Sequence, residues 1–448
     1  MNGGRRRRVL CTACFNVFEV PETDAGEIDY DALPQWARAR ARRPLWQRLA
    51  QCLPTFIQQR LPLPDEEAIG TTRRLTCLDE TCKRPLPPNA GAIETIVIGL
   101  IGGPSTGKTA YLTALIDALF DKAEMRGNGV RLQPEADSSV RMADLRRRMF
   151  ANREMMPRTE QASEREPFLP FIYTMTIAQE GVAPRAYNVL FFDGSGEQIQ
   201  RRQAMEQYCR YILHADGLIC MLDPSKLEKV RKVVPDDVLG IGHEVPPQSL
   251  APPVAVPVAA GRADSDPGDG PTNGTADGLF DPEDVIAASR SPVHRIEPVA
   301  THGAFNEPDL PLHEILANVA AMLRNHHQLP MAEPVDVPIS VVVSKADVLR
   351  YMPVVAPLVD ALSGPGEAPG SYSHARVLVE QEQVRKIVDA IAPIGLRVSG
   401  VSHFREPTYH VTSATGGTLR YNKRFGEVRP FRVVDPFGSI LHRTNRIR

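Results

Sequence analysis

No apolar run in this sequence approaches the roughly 20 residues that span a bilayer, so a membrane-spanning helix is not expected. Charge of one sign is lacking too. Lys and Arg number 52 against 54 Asp and Glu, a formal net charge of −2, which removes any whole-chain electrostatic argument for nucleic acid or an anionic surface. Cysteine is sparse and odd in number, seven in 448 residues. That excludes a disulfide scaffold and suits a reducing compartment. A signal peptide is not expected: Met1–Val20 carries arginines near its start, but Cys11, Cys14, Asn16 and Glu19 break the apolar stretch such a leader needs. The expectation is a cytoplasmic protein. Its apolar fraction of 42% and its length leave room for two to three packed domains.

What the sequence does contain is IETIVIGLIGGPSTGKTAYLTALIDALF, from Ile93 to Phe120. Gly102 and Gly107 bracket four residues and are followed by Lys108 and Thr109, the G-x-x-x-x-G-K-[ST] phosphate-loop pattern. Its context fits. Ile93–Leu100 reads as a buried strand, while Tyr111, Leu112, Leu115, Ile116 and Leu119 recur at helical spacing. The glycines permit a tight loop whose backbone N–H groups converge on phosphates, Lys108 adds a positive charge, and the helix N-terminus adds its dipole. Gly102, Gly103, Pro104, Ser105, Thr106, Gly107, Lys108, Thr109 and Ala110 are therefore the candidate nucleotide-contacting set, with the Thr109 hydroxyl offered to magnesium.

Ahead of that loop, Cys11-Thr-Ala-Cys14 and Cys77-Leu-Asp-Glu-Thr-Cys82 form two tight thiol pairs. Each can supply two thiolates to a tetrahedral zinc, and together they resemble a zinc ribbon with an unusually long insertion. Unrelated reduced cysteines are the plainer alternative, and Cys52 lies outside both pairs. Within the insertion, Ala32–Arg60 holds six arginines and no acidic residue, interleaved with Trp36, Leu45, Trp46, Leu49, Leu53, Phe56 and Ile57. Such a basic amphipathic stretch fits a membrane surface, nucleic acid, a partner, or simply a neighbouring domain with arginines left in water. Pro34, Pro44 and Pro54 limit it to short helical pieces. Lys83–Ala90 reads as a linker.

After the phosphate loop the pattern predicts a helix over 140–150, strands over 168–177 and 186–192, a helix over 198–213 and a strand over 217–222. Residues 246–278 contain seven prolines, five glycines and no aromatic, so a loosely ordered insertion is expected over 232–310. The alternation then resumes. A helix is expected over 312–327, a strand over 339–343, a loop over 364–370, a helix over 373–391, a strand over 408–412 and a short terminal helix within 431–448. Alternating strands and helices predict an α/β fold with a mostly parallel, doubly wound sheet. The implied divisions are a zinc-ribbon-like module (1–90), a nucleotide domain in two parts (91–231 and 311–448) and the insertion between them.

Each later strand also ends in a loop of chemical interest. The strand over 186–192 runs into Asp193-Gly-Ser-Gly196-Glu197-Gln198, the strand over 339–343 into Ser344-Lys345-Ala-Asp347, and the last into Ser413-Ala414-Thr415. In this order after GGPSTGKT, the loops resemble the small-GTPase (TRAFAC) class of P-loop proteins, over Ile93 to about Tyr421 without the insertion. The resemblance implies a Ras-like P-loop fold. It implies that Asp193 joins Thr109 at magnesium, that Gly196 lies beside the γ phosphate, and that Asp347 pairs with the N1 and N2 donors of guanine. Lys345 would then pack along the base and brace the phosphate loop, and the Ala414 N–H would meet guanine O6. Ser344 stands where that class usually has Asn or Thr and keeps a hydroxyl for bracing.

With the paired cysteines and the C-terminal VVDPFGSIL, the chain is most similar to the bacterial double-GTPase group of conflict and defence gene clusters. The group implies GTP or GDP, magnesium and zinc as ligands, and a protein effector or a partner GTPase on another chain. Thr159 is the candidate switch threonine, with Ser163 behind it. Glu197 occupies the position of the water-orienting glutamine, with Gln198 next, and a carboxylate there slows hydrolysis unless a cation such as Arg158, Arg201 or Arg202 compensates. The expected function is a slow GTP-hydrolysing switch. Three alternatives stay open: a nucleotide-regulated adaptor with little hydrolysis, a P-loop ATPase, and a zinc-ribbon nucleic-acid binder timed by the GTPase.

Overall fold

The computed structural model describes residues 6–22, 28, 33, 38–39, 74–87, 89–120, 130–157, 159, 169–178, 183–239, 310–362, 372–418 and 424–447. Its centre is a seven-stranded sheet. The chain begins with a hairpin, β1 (Arg6–Leu10) and β2 (Val17–Pro21), and a two-residue antiparallel pair, β3 (Arg38–Ala39) and β4 (Arg74–Leu75). The sheet follows: β5 (Glu94–Ile101), β6 (Val130–Pro134), β7 (Phe171–Ile177), β8 (Arg185–Asp193), β9 (Gly217–Leu222), β10 (Ile339–Val343) and β11 (Thr408–Val411), in the spatial order β11-β10-β9-β5-β8-β7-β6.

Helix α1 (Lys108–Phe120) follows β5, and α2 (Ala136–Arg146) follows β6. Two short helices, α3 (Gly196–Gln200) and α4 (Arg202–Tyr208), follow β8; α5 (Leu312–His327) precedes β10, α6 (His374–Ile391) precedes β11 and α7 (Asp435–Arg443) ends the described chain. β5, β9 and β10 are continuous apolar runs because both faces of the sheet are covered, as the rule for parallel strands requires. One apolar core lies under α5 and α6; the other lies under α1, β7 and α7.

β11, β10, β9, β5 and β8 are parallel, whereas β7 pairs antiparallel with β8 and β6 antiparallel with β7. The sheet is thus mixed and mostly parallel, and β6 is a strand the sequence reading did not expect. The expected helix over 198–213 is broken at Arg201, whose φ of −92° and ψ of 112° are extended, and it finishes in a 3₁₀ turn over Arg210–His214. The expected helix over 140–150 starts earlier, at Ala136, and ends in a π turn. Lys83–Ala90 is not a linker. Leu86 donates its N–H to the Leu75 carbonyl at 2.8 Å, and Leu86 and Ala90 are buried with Val9, Val20, Leu75 and the cysteines in a small separate core.

Residues 232–239 also belong to the folded body, with Val234 buried, so the insertion expected from 232 begins later; residues 240–309 lie outside the described residues. So do most of the basic stretch 32–60, Arg158, Ser163, Cys52 and the loop 364–370. No helix among the described residues is long and apolar enough to cross a membrane.

Candidate functional site

The C-terminal ends of β5, β8, β9, β10 and β11 face one edge of the sheet, where open α/β folds place their ligands. The phosphate loop turns there from β5 into α1. Gly107, at φ 88°, takes a conformation that costs a side-chain-bearing residue strain. Lys108 is only 5% exposed and donates from Nζ to the carbonyls of Gly102 (2.9 Å) and Gly103 (3.0 Å). Burial lowers its pKa, while the charges of Asp193 and Glu197 pull it back up. An anionic phosphate beside it would do the same.

Asp193 closes the other side. Its Oδ2 accepts a 2.5 Å hydrogen bond from the Thr109 hydroxyl, which also lies 3.0 Å from Thr159 Oγ1. Its Oδ1 is buried without a partner. Burial raises its pKa, opposed by Lys108 and by the Thr109 and Thr159 hydroxyls. An orphaned carboxylate oxygen between two hydroxyls is a hard oxygen donor set, and it fits magnesium. Thr109, Asp193 and Thr159 are therefore gathered in one place, although they are far apart in sequence.

Beyond Asp193 the loop presses on the phosphate loop. A Cβ on Gly196 would overlap the backbone of Gly103 and Pro104, so only glycine fits. Glu197 does not point freely: Ser195 donates to its Oε2 at 2.6 Å. Gln198 is buried, and Arg202 is engaged by Glu206 at 3.0 Å on the surface.

The base side is built from three loops. Ser344 donates from Oγ to the Thr106 carbonyl (2.9 Å), so the brace on the phosphate loop comes from Ser344. Lys345, at φ 52°, turns instead to Asp223, with Nζ 2.5 Å from Oδ2. Asp347, 9% exposed, accepts a 2.5 Å bond at Oδ1 from the Ser413 hydroxyl, and the same hydroxyl accepts from the Gly416 N–H at 2.8 Å. Burial raises the Asp347 pKa, offset first by that Ser413 bond. Gly107, Ala110, Lys345, Asp347, Ala414 and Thr415 line one cavity here.

Two residues of this edge escaped the sequence reading. Asp223 directly follows β9 and fixes Lys345; Lys226 donates to the Pro104 carbonyl at 2.5 Å. An acidic residue at the C-terminal end of a buried strand was the signal for Asp193, and the same signal marks Asp223.

The second cluster precedes the phosphate loop in the sequence. The sulfurs of Cys11, Cys14, Cys77 and Cys82 all fall within 4.8 Å of one another, with Cys11 to Cys82 at 3.9 Å and Cys14 to Cys77 at 3.5 Å. Zinc–sulfur bonds of about 2.3 Å in a tetrahedron require sulfur separations of about 3.8 Å. The backbone is arranged for thiolates. Ala13 N–H points to Cys11 Sγ and Asp79 N–H to Cys77 Sγ, each at 3.4 Å, and Asn16 ties the two loops by donating to Asp79 at 2.7 Å. Burial pushes the Cys11 thiol up to about 12 and raises Cys77 as well. Four thiols at this spacing, Cys11 and Cys77 buried and Cys14 and Cys82 half-buried, fit a zinc ion.

Residues 96–239 match the family model Double-GTPase 2. That segment covers about a third of the chain, including the phosphate loop, Asp193 and Asp223, and stops before Ser344. The structure of the S. cerevisiae Ski7 GTPase-like domain bound to GTP is similar at 10% identity over 80% of this chain and 51% of that one, with a TM-score of 0.28. This chain thus spans about half the length of that one. No curated protein matches the sequence significantly. The fold and the family match identify a GTPase-like P-loop domain.

Proposed function

We propose that this chain binds a guanine nucleotide, hydrolyses GTP slowly and acts as a switch on a protein partner. One observation carries the reading: the phosphate loop, the half-orphaned Asp193 and the Ser413-held Asp347 meet at a single edge of the sheet. Guanine offers N1 and N2 donors to such a carboxylate. Adenine has no N1 donor and would give that buried carboxylate nothing further to accept. Thr109, Thr159 and Asp193 are the residues that would hold magnesium, which supplies charge neutralisation along the phosphates. Lys108 adds the fixed positive charge, and Gly196 brings its loop to the γ-phosphate position.

The slow rate rests on Glu197. A carboxylate near an anionic phosphate raises the barrier, and its bond to Ser195 keeps it from the water-orienting role of an amide. The same bond favours a second reading, an adaptor that binds GTP and scarcely turns it over. The sequence has one phosphate loop, and the partner proposed is an effector protein or a second GTPase. A cytoplasmic role in a bacterial conflict or defence system completes the proposal, with 1–90 as a zinc-bearing module and 91–231 plus 311–448 as the nucleotide domain.

Two measurements test this. Analysis of what the purified chain retains should find GDP or GTP with magnesium and one zinc; retained adenine nucleotide would contradict it. Because burial raises the Cys11 and Cys77 thiols, while at Cys82 burial is outweighed by hydrogen bonds that lower the thiol, returning zinc to metal-stripped protein should release at least about two protons per ion in weakly buffered solution. Release near zero would show that the thiols are not the ligands.

A further inference from the structure

Phe15 follows directly on Cys14, inside the first thiol loop, yet its side chain belongs to another core. It is 5% exposed and packs with the nucleotide domain rather than with Val9, Val20 and Leu75. Its ring centroid lies 5.5 Å from that of Phe192 and 6.4 Å from that of Tyr211, while Phe192 and Tyr211 stack at 4.6 Å. Phe192 immediately precedes Asp193. Tyr211 reaches the next residue: a Cβ on Gly194 would lie 2.6 Å from its hydroxyl. The Phe15 backbone also accepts a hydrogen bond from His214, on the turn that carries Tyr211.

The backbone says that the ring is there for a reason. Phe15 sits at φ 59°, with its N–H bonded to the Cys11 carbonyl at 3.0 Å. Glycine takes that conformation freely, whereas a bulky side chain is strained there. Burying the ring offsets the strain, and the thiol loop fixes where the ring points.

We propose that Phe15 is a positioning residue through which a metal in the four-cysteine site sets the firmness of the Asp193–Gly196 loop. Metal-bound cysteines clamp the turn that aims Phe15; the ring wedges Phe192 and Tyr211; and these hold Asp193 against Thr109 and Gly196 against the phosphate loop. Loss of the metal frees the turn, so nucleotide retention falls without any change in a residue that touches nucleotide. The inference rests on the reading of the cysteines as a zinc site and of Asp193 as the magnesium carboxylate.

Phe15→Gly is the direct probe, because it suits the backbone of the thiol loop and deletes only the ring. The full-length variant should keep one zinc per chain and release labelled GDP roughly tenfold faster at limiting magnesium, the size of a typical coupling between sites. Phe15→Leu, which keeps an apolar plug, should restore most of the retention. Release at the wild-type rate from zinc-bearing Phe15→Gly would overturn the proposal.

Hydrogen exchange on wild-type protein decides the matter independently, should the variant fail to fold. Removing zinc with a soft-metal chelator in excess magnesium should deprotect amides 193–200 and leave β10 protected. Unchanged exchange at 193–200 would overturn the coupling alone, and equal loss in β10 would overturn it by making the metal a global scaffold. A chain purified without zinc would overturn the metal-site reading first, and the coupling with it. Failure to bind labelled GDP at all would instead overturn the nucleotide reading.

Discussion

Asp347→Asn should turn a guanine-binding site into one that prefers xanthine nucleotides. Asp347 is buried and already held at Oδ1 by Ser413, so its place in the cavity is set before any base arrives. A carboxylate only accepts, which matches the N1 and N2 donors of guanine. The amide turns a donor toward those donors, and a buried mismatch of this kind costs about 2–4 kcal/mol, or roughly 30- to 10³-fold in affinity. Xanthine carries an oxygen where guanine has its amino group, and that oxygen accepts from the new amide. Competition of XTP and GTP against a labelled nucleotide measures the switch. Equal loss of both would mean that Asp347 supports the loop rather than reading the base.

Gly196→Ala should separate nucleotide binding from hydrolysis. The added Cβ would collide with the backbone of Gly103 and Pro104, lying 2.6 Å from the Gly103 oxygen, and backbone cannot rotate out of the way. The loop must therefore retreat from the phosphate loop, and displacement of about 1 Å at a reacting centre costs roughly 10²-fold in rate. GDP depends on this loop only through Asp193 at magnesium and makes no demand on Gly196, so in saturating magnesium GDP affinity should stay within a few fold. Single-turnover hydrolysis beside GDP titration tests this. A matching loss of GDP binding would show that the phosphate loop itself had been damaged.

How much of this was legible beforehand follows from the physics of each signal. The phosphate loop, β5 and α1 were readable because three constraints coincide there: fixed glycine spacing, a run apolar on both faces, and helical recurrence. α5 and β10 were placed to the residue, since an amphipathic helix and a five-residue apolar strand each have plain ends. β6 was missed. Its sequence, VRLQP, alternates for only five residues in polar surroundings and is paired on one side by β7 alone. The break at Arg201 was missed because nothing in GEQIQRRQAMEQY forbids a continuous helix.

At the site, strand-end carboxylates were visible and their partners were not. Asp193 and Asp347 stood out, as did the Ser344 hydroxyl as a brace, but Lys345 was expected to brace the phosphate loop as well and pairs with Asp223 instead. Periodicity locates a side chain on an element and says nothing of which neighbour it meets. Phe15 shows the same limit. A phenylalanine after a cysteine pair reads as core, and only the fold shows whose core it joins.

The central claim is base selection by a magnesium-dependent phosphate site, and it is tested most directly by titrating nucleotide-free wild-type chain with GTP and ATP in magnesium. The account predicts GTP bound at least 10²-fold more tightly than ATP, since adenine brings buried Asp347 no N1 and N2 donor pair. Equal affinity for the two would contradict it.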